Sequence, residues 1–190
     1  MPPVAIMSEP YYALVAYVNN PVGTFVEGLR RELHPEHAHL PAHLSILPPR
    51  LLAGSERQAR EAIERVCDTV QPFEVTLGEV ETFVPVTPTV FLRVAHAAYR
   101  MREMHDRLNT NALSYNEPWP YMPHLTLFRM EQTEQAEQVL ETARERWSQY
   151  QGTRSVRIES LTFVRQEGPH QWRDLAPVPL GRRLVSSPGQ

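Results

Sequence analysis

The segment Pro123-His124-Leu125-Thr126-Leu127-Phe128-Arg129 decides the architecture of this chain, because a similar segment occurs in its first half. The earlier segment is Ala42-His43-Leu44-Ser45-Ile46-Leu47, and its histidine precedes the later one by 81 positions. In both, a histidine, an apolar residue and a hydroxyl residue are followed by two apolar residues. A short apolar run preceded by proline predicts a β-strand in each place.

Elements of the same type and order surround the two motifs. Each motif strand is preceded by an apolar strand and an amphipathic helix, and followed by a second helix and a third strand. The predicted elements cover 11–18, 22–33, 42–47, 55–70 and 73–80, then 90–95, 97–112, 124–128, 133–147 and 156–164. Ser55 and Thr133 lie 78 positions apart, and Tyr12 and Phe91 lie 79 apart. We therefore predict a duplicated β-α-β-α-β unit, with repeats over about 11–85 and 90–165.

This duplication predicts an α+β fold with two pseudo-symmetric halves in one domain, residues 1–190. A chain of this length buries roughly 70% of its unfolded surface, which is enough for a core without a metal or disulfide. The polar segment 181–190 predicts a flexible tail.

The motif residues suit chemistry on a phosphodiester. On a strand, residues i and i+2 share a face, so each histidine faces the same way as its hydroxyl residue. A duplicated fold brings His43, Ser45, His124 and Thr126 to one cleft. Imidazole titrates near neutral pH, so the two histidines can serve as base and acid, in either assignment. The two hydroxyls can donate hydrogen bonds to the non-bridging phosphate oxygens.

The paired motifs resemble those of the 2H phosphoesterase superfamily, which includes the 2′-5′ RNA ligases, also described as RNA 2′,3′-cyclic phosphodiesterases. The resemblance spans roughly residues 11–180 and is strongest over 123–129. It implies two lobes with antiparallel sheets around a central cleft. It also implies metal-independent chemistry on 2′,3′-cyclic phosphates or 2′-5′ linkages, with RNA ends or small cyclic nucleotides as substrates and no cofactor.

Four further side chains are candidates for substrate binding. Arg129 follows the second motif and Arg50 lies just past the first, and a guanidinium can hold a phosphate in a bidentate manner. The ring of Phe128, which has the strand parity of the second motif, and that of Tyr12 are candidates for stacking on a base. Arg93, within the strand predicted over 90–95, faces either the solvent or the cleft.

The composition excludes several classes of function. All 19 basic residues are arginine, so a lysine Schiff base, a phosphate-loop lysine and a nucleotidyl-lysine ligase are excluded. A net charge of −3 disfavours binding of long nucleic acid through the overall field. The single cysteine, Cys67, fits a reducing compartment, and no segment is apolar enough to span a membrane. We expect a cytoplasmic monomer without a membrane partner.

Three alternatives stay open. The same cleft can support ATP-independent 2′-5′ RNA ligation, or it can bind RNA or nucleotides without turnover. A metal hydrolase would use His34, His37, His39 and His43. Their spacing matches no standard ligand pattern, so we predict no metal site.

Overall fold

Eight strands form one antiparallel sheet in the computed structural model, which describes residues 9–182. The strands are β1 (Tyr12–Tyr17), β2 (His43–Arg50), β3 (Phe73–Thr82), β4 (Thr89–His96), β5 (His124–Arg129), β6 (Ser155–Ile158), β7 (Ser160–Gly168) and β8 (Gln171–Pro179). The helices are α1 (Pro21–Leu33), α2 (Glu56–Cys67), α3 (Ala98–Leu108) and α4 (Thr133–Gln149). The strand order β6-β3-β4-β5-β2-β1-β7-β8 sets the two motif strands side by side at the centre. The predicted α+β fold with antiparallel pairing is confirmed.

The first two helices begin where local chemistry favours a helix start. The Asn20 side chain accepts hydrogen bonds from two backbone N–H groups of the first turn of α1, which opens with Pro21. Ser55 and Gln58 form a capping box at the start of α2. Helix α2 then buries one apolar stripe, made of Ala59, Ile63 and Cys67.

The sheet has a face packed against the main core and an opposite, more open face. Leu44 and Ile46 of β2, and Leu125 and Leu127 of β5, are buried in the main core. The histidine and hydroxyl residues of both motifs point to the other side and are half-buried. A one-residue slip of either strand would expose its leucines, and each buried leucine contributes about 1.5–3 kcal/mol. Core burial therefore determines the face on which the polar set lies.

The two halves of the sheet do not coincide with the two sequence repeats. Strand β3, which ends the first repeat, pairs with β4 of the second repeat. Strand β7, near the end of the second repeat, pairs with β1 of the first. Each repeat thus gives its third strand to the other half of the sheet.

Two predicted strands need correction, and one observed strand was not predicted. The single strand predicted over 156–164 is two strands, β6 and β7, divided at Glu159 and paired with β3 and β1 respectively. Strand β2 is predicted to end at Leu47 but continues to Arg50. A proline has no N–H to donate, but Pro48 and Pro49 lie past Leu44, the residue of β2 that pairs with β5, so they interrupt no pairing on that side. Strand β8 is not among the predicted elements; its prolines and charges suit the sheet edge that it occupies.

The ends of the chain limit two other expectations. Of the predicted flexible tail, residues 183–190 lie outside the described residues. Over residues 9–182, the structure contains no helix with the length and apolar character needed to cross a membrane.

Candidate active site

The motif residues meet in a two-by-two array at the centre of the sheet. Leu44 of β2 is the antiparallel partner of Leu125 of β5. This register sets His43 beside Thr126 and Ser45 beside His124, all four on the open face. Directly opposed residues have Cβ atoms about 4.5–5.5 Å apart, so the two imidazoles occupy one diagonal and the two hydroxyls the other.

Both imidazole rings are held in the same way. Nδ1 of His43 donates to the carbonyl oxygen of Pro41 at 2.8 Å, and Nδ1 of His124 donates to that of Met122 at 2.7 Å. Because a carbonyl can only accept, each Nδ1 carries the proton in the neutral ring. In both rings Nε2 is left as the nitrogen that can exchange a proton with a substrate.

Burial lowers the pKa of both imidazoles below the usual 6.5. For His43, the Pro41 carbonyl opposes this effect, while the nearby charges of Arg30 and His124 lower the pKa further. For His124, the Met122 carbonyl is the opposing influence. Both rings therefore favour the neutral form at neutral pH.

A β-bulge follows the hydroxyl residue of the second motif. Phe91 of β4 pairs with Thr126, whereas its neighbour Val90 pairs with Phe128, so Leu127 is an extra residue on β5. From this point the alternation of faces is shifted by one residue.

The bulge decides which face the next two residues occupy. Phe128 turns into the main core, with 1% of its surface exposed, so its position does not fit stacking on a base in the cleft. Arg129 returns to the open face that carries the array and is exposed there. The predicted face of Phe128 is wrong because the prediction assumed that side chains alternate between the two faces of the strand without interruption.

The first motif contains the same bulge. Val15 of β1 pairs with Ser45, and Leu14 pairs with Leu47, so Ile46 is the extra residue. The place of Arg129 is taken here by Pro48. The two motifs thus share backbone geometry, but only the second carries an arginine at this place.

A family match agrees with this architecture. The family model described as the 2′-5′ RNA ligase superfamily matches residues 18–170. The chain belongs to the 2′-5′ RNA ligase superfamily. The resemblance predicted from the paired motifs is confirmed.

Relatives of this superfamily member share its fold at low sequence identity. A protein of Halalkalibacterium halodurans named "Putative phosphoesterase" is 27% identical over 120 residues, which cover 61% of this chain and 68% of that protein. The crystal structure of E. coli LigT complexed with NADP+ matches with a TM-score of 0.63 and 17% identity, covering 91% of this chain and 99% of LigT. LigT complexed with 3′-AMP matches with a TM-score of 0.57 and 13% identity over the same shares.

Arg50 has a position that favours a structural role over the predicted substrate-binding role. Only 1% of its surface is exposed. Its guanidinium donates to the Pro48 carbonyl at 3.0 Å, to Asn109 at 2.8 Å and to the Leu113 carbonyl at 3.1 Å, and it forms an ion pair with Glu117. These bonds tie the end of β2 to the segment that leads into β5.

Tyr12 also lies away from the array. It is 9% exposed, stacks on Phe163 in the core and donates a hydrogen bond to Glu56 at 3.0 Å. Its cross-strand partner is Arg50, whereas Tyr17 is the partner of His43. The predicted stacking role therefore fits Tyr17 better than Tyr12.

Two side chains flank the array: Tyr17, which the sequence did not single out, and Arg93, which was expected to face either the solvent or the cleft. Tyr17 lies beside His43 on β1, and Arg93 lies beside His124 on β4. Across the open face, one row reads Arg93, His124, Ser45, Val15 and the next reads Phe91, Thr126, His43, Tyr17. Tyr17 and Arg93 therefore occupy equivalent positions in the two repeats. They lie 76 positions apart in the sequence, whereas the prediction matched Tyr12 with Phe91, which lie 79 apart.

Aromatic rings support the second histidine. Phe83 and Phe91 stack with ring centroids 4.1 Å apart. The edges and faces of these rings contact His124, at centroid distances of 5.0 Å and 5.2 Å. The pair shields one side of the His124 ring from water, consistent with the lowered pKa.

Each motif is held by a side chain from the other repeat. The Tyr121 hydroxyl donates to the carbonyl oxygen of Ser45 at 2.8 Å. The buried guanidinium of Arg30 donates to the equivalent carbonyl, that of Thr126. Arg30 also donates to the carbonyls of Leu127 at 3.0 Å and Leu40 at 2.6 Å. The side chain that holds the first motif, Tyr121, is therefore neutral, and the one that holds the second, Arg30, is a cation.

Two histidines of the alternative metal cluster have other partners. Nδ1 of His34 lies 2.6 Å from the Glu36 carboxylate, and Nδ1 of His39 lies 3.0 Å from the Glu36 carbonyl. Within residues 9–182, no three His, Cys, Asp or Glu side chains come together as a metal-binding group.

Proposed function

We propose that this superfamily member is a phosphodiesterase that hydrolyses 2′,3′-cyclic phosphate ends of RNA or nucleotides without a metal ion. The observation that carries the proposal is the array itself, in which two imidazoles with equivalent Nδ1 bonds face two hydroxyls across one strand pair. We also propose that the protein is a cytoplasmic monomer, as expected from its sequence.

Acid–base catalysis needs one neutral and one protonated imidazole. The neutral ring accepts a proton at Nε2 from a water molecule as its oxygen attacks phosphorus. The bond from phosphorus to one ribose oxygen of the cyclic phosphate then breaks, and the protonated imidazole donates a proton to that oxygen. The products are a phosphomonoester and a free ribose hydroxyl, and no electron donor or acceptor is required. The diagonal of His43 and His124 suits attack and departure on opposite sides of phosphorus.

The remaining groups of the array suit the phosphate oxygens. The hydroxyls of Ser45 and Thr126 can donate to the non-bridging oxygens, where negative charge grows in the transition state. Arg129 is exposed on the same face, just past Thr126, and can pair with the same phosphate.

The names of relatives support the substrate class. The superfamily is described by an activity on 2′-5′ RNA linkages, and E. coli LigT forms crystal complexes with NADP+ and 3′-AMP. We infer from these that the cleft accepts a nucleotide with a phosphate at its ribose.

A product assay tests this function. The wild-type protein is incubated, with and without a chelator, with the four 2′,3′-cyclic nucleotides and a short RNA ending in a cyclic phosphate. We expect hydrolysis to a phosphomonoester that the chelator leaves unchanged. Loss of activity in chelator, with recovery on adding zinc or manganese, would refute the metal-free proposal. Nucleotide binding without turnover of any substrate would favour a binding protein.

Ligation is a second candidate, favoured by the description of the superfamily. RNA halves with 2′,3′-cyclic and 5′-hydroxyl ends, incubated without ATP, separate the two activities. We expect hydrolysis to dominate, and a predominant 2′-5′-linked product would reassign the function to ligation.

A further inference from the structure

The two strands outside the array break its pseudo-two-fold symmetry. Tyr17 beside His43 and Arg93 beside His124 occupy equivalent positions. The Tyr17 hydroxyl donates to Asp174 at 2.6 Å, and burial together with this carboxylate raises the pKa of Tyr17 far above its usual value. The position beside His43 is thus a neutral phenol, and the one beside His124 is a permanent cation.

Arg93 is available to a ligand. Its side chain is 54% exposed, and its ion-pair partner among the described residues is Glu81, at a long distance of 3.5 Å. An exposed pair of this length contributes little stability, so the guanidinium can turn from Glu81 to a stronger anion at small cost.

The opposite side of the cleft is unfavourable to phosphate. A groove of about 560 Å³ extends from Tyr17 along β6 and the start of β7. It is lined by Glu74, Glu159 and Arg157, and Arg157 is already paired with Glu159 at 2.6 Å. Asp174, which accepts the hydrogen bond of Tyr17, adds a carboxylate at the Tyr17 end of this groove, so a phosphate there would meet negative charge.

We propose that Arg93 binds a second phosphate, the one that precedes the cyclic end in an RNA strand. This inference rests on the proposed function and narrows its substrate to strand ends of two or more nucleotides. A cyclic mononucleotide has one phosphate, for which the array and Arg129 suffice. The terminal nucleoside of a strand has a 5′ phosphodiester as well, and Arg93 is the cation that flanks the array on the β4 side.

Glu81 gives the proposal an internal check. It holds Arg93 in the free protein and competes with an incoming phosphate. Neutralising the carboxylate should therefore strengthen binding of the second phosphate, whereas removing the guanidinium should abolish it.

The test compares kcat/KM for a 2′,3′-cyclic mononucleotide with that for the same nucleotide at the end of a dinucleotide. A charge-assisted hydrogen bond predicts a wild-type preference for the dinucleotide of about tenfold or more. In R93Q this preference should largely disappear, while the mononucleotide rate stays within about twofold of wild type. E81Q should increase the preference, and added salt should reduce it in the wild type but not in R93Q.

Arg57 provides the matched control. It lies on α2, is exposed and pairs with Glu61 at 3.1 Å, so R57Q makes the same change of charge away from the cleft. R57Q should keep the wild-type preference.

The outcomes separate this proposal from the proposed function. Equal kcat/KM for both substrates in the wild type, or an equal loss on both in R93Q, would overturn the second phosphate site while the hydrolysis stands. If neither substrate is hydrolysed, the proposed function fails. Titration of the dinucleotide then tests Arg93 alone, and equal affinity of wild type and R93Q would overturn its role.

Discussion

Leu44 and Leu125 are direct cross-strand partners at the middle of the sheet, and both side chains are fully buried. Their pairing holds the two motif strands in antiparallel register. Every polar group of the array is an immediate neighbour of one of these leucines in the sequence. The geometry of the reacting groups on the open face is thus set by packing on the core face.

Replacing either histidine by asparagine should abolish most activity without unfolding the protein. The asparagine amide can still donate to the upstream carbonyl but cannot exchange a proton. H43N and H124N should each lower kcat by about 10²–10⁴-fold. Turnover assays and thermal unfolding measure the two effects, with H96N, at an exposed position, as the control. A variant with a near-normal rate would remove that histidine from the mechanism.

The pH profile of kcat/KM should be bell-shaped, with its maximum below 6.5. Burial lowers the pKa of both histidines below 6.5. Above pH 6.5, few molecules therefore have the one protonated imidazole that serves as the acid. At low pH both rings are protonated and the base is lost. Initial rates from pH 4 to 9 at low substrate check this, and a plateau that rises to pH 8 would contradict it.

Arg30 should influence one limb of that profile, the one set by His43, through its charge. Arg30 lowers the pKa of His43, so R30Q should raise this pKa and move the corresponding limb to higher pH, while R30K should keep it near the wild-type position. The other groups facing His43 are His124 and Tyr17 of the neighbouring strands, and both are unchanged in these variants.

Stability measurements complete the Arg30 test. R30Q removes the guanidinium from one buried carbonyl and two partly buried ones, and the loss of a donor to a buried carbonyl costs about 1–3 kcal/mol. If R30Q folds poorly, R30K still tests the role of charge: it keeps the positive charge without the guanidinium, so NMR should show His43 titrating close to its wild-type position. A profile that shifts equally in R30K and R30Q would show that charge is not the cause.

Arg50 and Arg129 should differ in what they affect. R50Q removes the buried guanidinium from its ion pair and leaves the partly buried Glu117 carboxylate with His105 as a partner, which should cost up to about 3–5 kcal/mol of unfolding free energy. R129Q, at an exposed position, should change stability by less than about 0.5 kcal/mol but lower kcat/KM by about tenfold. Urea denaturation and steady-state kinetics of both variants check this, and a stable R50Q with a raised KM would restore Arg50 as a substrate ligand.

Local pattern predicted the shared face of each histidine and its hydroxyl residue, because strand alternation holds over those three positions. It failed at Phe128, since the bulge at Leu127 falls within an apolar run in which no residue signals an insertion. The role of Arg50 depended on Glu117, 67 positions away, and no local pattern reports such a contact. Tyr12 and Tyr17 lie on one apolar strand, and only the register with β2 distinguishes them.

The exchange of third strands bears on how such a protein could arise. The strands β3 and β7, which end the two repeats, each pair with the first strand of the other repeat, and a single repeat would lack that partner. Two separate copies would complete each other's sheets and build the same pair of histidines across an exact two-fold axis. Joining the copies through residues 83–88 makes one gene product in which the two sides of the cleft can mutate independently. The difference between Tyr17 and Arg93 is a change that only the fused form can carry.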